Sequence, residues 1–294
     1  MIALSRPLAE MADAVLRTAD GREKTTLARK YAAEWIAARQ DGAITTPLTH
    51  REAIIGAATP PDFPARPEKP ELKDPRDVPR RRPGTREGQI ALLHAVAHIE
   101  LNAVDLHWDI IARFTDTLMP LGFYDDWVKA ADEEAKHFNL VNDCLEALGS
   151  HYGALPAHTG MWPGMWRAAE DTAQDLMGRL AVVPMVLEAR GLDVTPGMIE
   201  VFRKAKLDDT VAALEVIYAE EVGHVAYGSK WFHFLCGRHE LDPKETFHSL
   251  VRTYFHGSLK QPFNEEKRAE AGLPPDFYWP LTDDVRAKSP NKAD

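Results

Sequence analysis

Glu134-Ala135-Lys136-His137 and Glu221-Val222-Gly223-His224 decide how the rest of the chain is read. Each has the form Glu-x-x-His inside a long helical pattern. At about 3.6 residues per turn, an i, i+3 spacing sets carboxylate and imidazole side by side on one helix face. One such pair is commonplace. Two pairs, each preceded by a helix carrying a lone Glu in an apolar stripe, describe a two-metal site inside a four-helix bundle. The lone carboxylates are Glu100, in HAVAHIELNAVDL (94–106), and Glu188, in AVVPMVLEARG (181–191). Read alone, Glu100 would be a half-exposed residue at the edge of its stripe. The repeated order Glu, Glu-x-x-His, Glu, Glu-x-x-His is what makes it a ligand.

Glu100, Glu134, His137, Glu188, Glu221 and His224 are therefore the predicted metal ligands. Four carboxylates and two imidazoles suit a pair of hard divalent ions. Calcium sites need no histidine and structural zinc sites favour thiolates, so iron is expected, with manganese as the alternative. Glu133 and Glu220 each precede a Glu-x-x-His. A ligating His usually donates its other N–H to a carboxylate. With helices two and four taken as facing, Glu133 is expected to hold His224 and Glu220 to hold His137. Among His94, His98 and His107, only His107, two turns from Glu100, is placed to line a pocket.

The 294 residues suffice for one large domain or two small ones. Hydrophobic residues at 45% and charged residues at 27% are ordinary for a globular chain. A formal charge of −10 argues against a nucleic-acid partner, despite the basic run Arg76–Arg86 (RDVPRRRPGTR). No apolar run approaches the roughly 18 residues that span a bilayer, and no signal-peptide pattern opens the chain, so no membrane and a cytoplasmic location are expected. The two cysteines, Cys144 and Cys236, read as reduced thiols.

In order, residues 1–57 are expected to hold N-terminal helices and residues 58–85 a proline-rich arm, since repeated proline excludes helix and sheet interiors. Phe63 and Leu72 are its candidate anchors. The four-helix bundle occupies 86–238. Its first helix runs from Thr85 to Phe114. The second starts at an Asp125 or Asp126 cap and ends before Gly149. The third runs from about Arg167 to Arg190 and stops at Gly191, with Pro184 freeing a carbonyl or kinking it one turn before Glu188. Thr195 and Pro196 open a short helix, and Asp208 or Asp209 caps the fourth. The loop from His151 to Trp166 is aromatic and rigid, or else a lid. Residues 239–294 form a helix at 242–256 and a wrapping tail. No strand is expected, so the fold class is all-α.

At these residues the chain resembles the ferritin-like di-iron carboxylate superfamily, and within it a bacterial family known mainly as ferritin-like proteins of unassigned function. The likeness runs through PARPEKPEL (64–72), HAVAHIELNAVDL, DEEAKHF (132–138), EARGLDVTP (188–196), EEVGH (220–224) and LKQPFNEEKRAEAGL (259–273). It implies a di-iron, or iron–manganese, oxidoreductase that activates dioxygen on a small organic substrate, with an electron-donor protein and a homodimer admitted. The alternatives are a ferroxidase or iron-binding protein, and a bundle whose metal is structural and which serves as a binding module. The arm and the C-terminal stretch are foreign to simple ferritins.

Overall fold

The computed structural model describes residues 4–42, 44, 51–74, 76–79, 81–158 and 162–282. The all-α reading holds: helices dominate, and the described strands are two residues each. The chain forms two compact units, one from Met1–Glu170 with Ile199–Ile217, the other from Asp171–Met198 with Tyr218–Asp294. None of the described helices is long and apolar enough to cross a membrane.

In the first unit, α1 (Leu8–Leu16), α2 (Gly21–Gln40) and the short α3 (Arg51–Ile54) precede the arm. Then come α4 (Arg86–Arg113) and α5 (Leu121–Ala147), with α1 packed on α4 and α2 on α5. The boundaries of α4 fall where expected, because Thr85 accepts the Gly88 N–H through its hydroxyl at 3.1 Å. Leu93, Val104 and Ile111 are fully buried along it. Each such side chain contributes roughly 1.5–3 kcal/mol by leaving water. At the far end of α5, Gly149 takes a left-handed backbone (φ 70°). Ser150 N–H then reaches Leu145 and Gly149 N–H reaches Glu146, closing the helix as expected.

The start of α5 differs from expectation. The helix begins at Leu121 behind Pro120, one turn before the predicted aspartate caps. Asp125 is instead a tertiary acceptor: Arg39 donates to both its oxygens and Trp35 Nε1 to one, all at 2.8 Å. The anchoring of the arm differs too. Phe63 is 53% exposed. Each proline leaves the arm a carbonyl without a matching N–H, and the helices donate to several of the arm's carbonyls. Arg17 reaches Thr59 O at 3.0 Å, Arg113 reaches Pro61 O at 3.1 Å, Trp166 reaches Asp62 O at 2.8 Å and Lys24 reaches Ala65 O at 3.0 Å. Leu72 does take part, in a strand: β1 (Leu72–Lys73) pairs in parallel with β2 (Ala157–His158). That bridge, unexpected from the sequence, holds the arm against the turn after α5. Residues 159–161 of the predicted aromatic loop lie outside the described residues. From Trp162 the chain is already helical, in α6 (Trp162–Asp171).

The second unit corrects the predicted third helix. The chain breaks at Thr172–Asp175, where Asp175 caps α7 (Leu176–Val182) by accepting Gly178 N–H at 2.9 Å. A π-turn follows (Val183–Glu188), and α8 (Ala189–Lys204) continues through both Gly191 and Pro196. Gly191 keeps a helical backbone rather than the left-handed one that ends a helix. No separate helix starts at Thr195. Helix α9 (Asp208–Arg238) starts in the first unit and runs into the second. The expected helix at 242–256 is α10 (Pro243–Tyr254), capped by Asp242. The tail forms α11 (Glu265–Glu270), α12 (Pro275–Tyr278) and a closing 3₁₀ turn.

Candidate metal centre

None of the six predicted ligands is more than 8% exposed. The edge position that Glu100 would occupy if read alone is not the one it has. In the first unit, Glu100 projects from α4 towards Glu134 and His137 of α5. His137 Nδ1 lies 3.4 Å from Glu100 Oε2 and 3.4 Å from Glu134 Oε2. One donor atom from each of the three falls within 4.8 Å of the others. Leu101 and Val104 on α4 and Ala135 and Phe138 on α5, each within four residues of one of these ligands, are buried too. Burial pushes the Glu100 carboxyl up to about 8; the like charge of Glu134 adds to this, and the His137 imidazole opposes it. Two carboxylates in a dry site carry a desolvation penalty of several kcal/mol per ion unless positive charge sits between them. Two oxygen donors and one imidazole nitrogen converging at such distances fit a hard divalent cation.

The second unit repeats the donor set with Glu188, Glu221 and His224, where His224 Nδ1 approaches Glu221 Oε1 to 3.8 Å. Its geometry is set by two glycines. A Cβ added at Gly228 of α9 would lie 2.5 Å from Cβ and Cγ of Pro184 in the π-turn. A Cβ at Gly191 would lie 3.9 Å from Glu221 Oε2. Pro184 thus faces Gly228 and Gly191 faces Glu221 across an antiparallel pair. Glu188 lies four residues beyond Pro184, and His224 four residues before Gly228, so the two share one level between those contacts. The π-turn is how this chain accommodates Pro184, which lacks the N–H an α-helix needs there. Its wider turn rotates Glu188, its last residue, relative to an uninterrupted α-helix.

Glu133 sits beside the first triad, half-buried, with Lys129 Nζ 3.2 Å from its Oε1, and Glu220 is half-buried beside Glu221. His94 and His98 serve the turn after α5. His94 Nε2 accepts Gly153 N–H at 2.9 Å, and burial, helped by His151 and Arg81, lowers its pKa to about 4. His98 Nδ1 and the Tyr152 hydroxyl are 2.8 Å apart. His107 packs on the Trp127 ring at 5.3 Å. Cys144 and Cys236 are free thiols, and burial raises both pKa values. The Pro184–Gly228 contact was not anticipated. Its signal was a glycine inside a long helix, which costs stability unless another backbone or ring must come close.

Residues 17–279 match the family described as "Protein of unknown function (DUF455)". The chain belongs to that family. It is also 42% identical over 212 residues to an uncharacterized protein of Haemophilus influenzae, covering 70% of this chain and 72% of that one. No solved structure matches the chain. The DUF455 match runs through the arm, both triads and the LKQPFNEEKRAEAGL segment, so the family is defined over the whole region that positions the candidate ligands.

Proposed function

We propose that Glu100, Glu134, His137, Glu188, Glu221 and His224 form one centre for two metal ions in a ferritin-like four-helix bundle, and that this centre works in an oxygen-activating oxidoreductase. Iron is the expected metal, with manganese as the substitute at one position. The observation that carries the reading is the buried Glu100–Glu134–His137 cluster, with the same residue types, Glu188, Glu221 and His224, buried as well. A solvated acidic patch needs no imidazole at its centre, and a structural core needs no carboxylates.

Bound iron would supply the electrons that reduce dioxygen. The chain's own groups have three tasks. The four carboxylates neutralise the cations, and their number favours the higher oxidation state. His137 and His224 each offer a neutral nitrogen and leave the second ring nitrogen for an acceptor, a task that suits Glu220 and Glu133. Val104, Phe138, Met185 and Ile217, all buried, would keep bulk water from a reactive site. The organic substrate is small, and an electron-donor protein would return the centre to its reduced state.

Anaerobic titration with ferrous iron followed by exposure to oxygen tests this reading. The expected result is saturation near two irons per chain and a rapid, saturable oxygen uptake that Glu134→Ala or Glu221→Ala abolishes. Continued uptake of iron far beyond two per chain, ending in mineral, would move the protein to the ferroxidase class.

A further inference from the structure

The segment LKQPFNEEKRAEAGL plays no part in the metal chemistry above, yet its contacts converge on α8, which follows directly on Glu188, and on α9, which carries Glu221 and His224. Pro196, inside α8, has no N–H to give the carbonyl of Leu192 four residues earlier. Asn264 of the tail supplies one: its Nδ2 donates to Leu192 O at 3.2 Å and to the Tyr218 hydroxyl of α9 at 2.6 Å. One amide group, with two N–H bonds, therefore joins α8 to α9. Tyr218 lies three residues before Glu221. At the other end of the tail, Gly272 has φ 73°, and its carbonyl accepts the Ser229 hydroxyl of α9 at 2.7 Å. Ser229 follows Gly228, which receives Pro184. The tail thus grips α9 on both sides of Glu221 and His224.

Arg268 anchors this grip. It is buried, and it donates from Nε and Nη2 to the two oxygens of Asp193 on α8 at 2.9 and 2.7 Å. Its guanidinium lies 4.9 Å from the Phe263 ring centre and 4.7 Å from that of Tyr278. A planar, bidentate, ring-stacked cation is not replaceable by lysine. Asp193 also accepts the Asn264 N–H at 2.8 Å, and Arg190 holds the carbonyls of Lys260 and Pro262 at 2.7 and 3.1 Å. EARGLDVTP and QPFNEEKR are therefore two halves of one joint.

We propose that residues 260–281 are a clamp that sets the spacing of α8 and α9 at the Glu188–Glu221–His224 triad, with Asn264 and Arg268 as its positioning residues. The metal part of this role rests on the two-metal reading above. Cobalt(II) titration of the full chain, read by visible absorption, tests it. The parent is expected to bind two ions. Asn264→Ala and Arg268→Lys are expected to keep their helical circular dichroism, lose affinity for at least one ion by roughly 10–100-fold and change the visible bands. Adding Pro196→Ala to Asn264→Ala returns an N–H to Leu192 O and should recover part of that affinity.

Hydrogen exchange on the metal-free chain provides an arm that needs no metal. Residues 186–195 and 218–226 should exchange roughly tenfold faster in Asn264→Ala, with α4 and α5 unchanged. Variants with parental cobalt affinity and bands, whatever their melting temperature, overturn the positioning role. Unchanged exchange overturns the clamp. A parent that binds no cobalt overturns the metal reading, while the exchange result still decides the clamp.

Discussion

At Glu100 the usual preference of a carboxylate for its charged form is reversed by burial and by Glu134 alongside. The unfolded chain releases that proton near 4.5, and the folded metal-free chain keeps it to about 8. Across that window the native state binds more protons than the unfolded one, so stability falls as pH rises. Metal-free protein should therefore lose melting temperature from about pH 5 to about pH 8, and Glu134→Gln should flatten the slope by removing the like charge. Thermal melts of chelated protein check both. A slope unchanged in Glu134→Gln would mean the two carboxyls do not sense each other. Beside the ligands, Glu133→Ala and Glu220→Ala should leave the fold intact and weaken metal retention roughly 10–100-fold. Parental retention in both variants, measured by competition with a chelator, would reduce these acids to surface charge.

Within elements, two glycines of the second unit respond in opposite directions to the same methyl group. An exposed helical Gly→Ala change usually stabilises by about 0.5–1 kcal/mol, because alanine has less backbone freedom to lose. Gly197 in α8 has nothing within 4 Å of its would-be Cβ, so Gly197→Ala should follow that rule. Gly228→Ala meets the Pro184 ring at 2.5 Å, and a proline ring cannot swing aside. Overpacking of this kind costs about 1–3 kcal/mol, which exceeds the propensity gain and reverses the sign. Denaturant melts of the two variants measure the difference. Because Pro184 lies in the π-turn that ends at Glu188, Gly228→Ala should also lower metal affinity, while Gly197→Ala should not. Equal stability changes in the two would show that Pro184 does not press on Gly228.

For the molecule as a whole, the extent of the apolar core decides what metal removal does. Large side chains such as Trp35, Phe202 and Phe247 are buried far from any predicted ligand in sequence. Each contributes on the order of 2 kcal/mol, enough to fold the chain without a cation. Chelation should thus lower the melting temperature, through lost binding to the native state, yet leave the helical circular dichroism in place. Collapse to a coil on chelation would instead make the metal structural, as in small metal-folded domains.

The sequence by itself determined the helical class, the limits of α4, the end of α5 and the pairing of carboxylate and imidazole inside each Glu-x-x-His, because each depends on residues within a few positions of one another. Thr85 caps its own helix, Gly149 ends its own, and Glu-x-x-His pairs its groups within a single turn. The start of α5 was not legible, since Asp125 answers to Trp35 and Arg39 some 86 to 90 residues away. Nor was the passage of α8 through Pro196, which leaves Leu192 O to Asn264, 72 residues on. The arm's anchors and the level shared by Glu188 and His224 were likewise decided by tertiary structure. A proline or an aspartate states locally only what it lacks or offers. Which distant group answers it is settled when the chain packs and every buried donor and acceptor must find its partner.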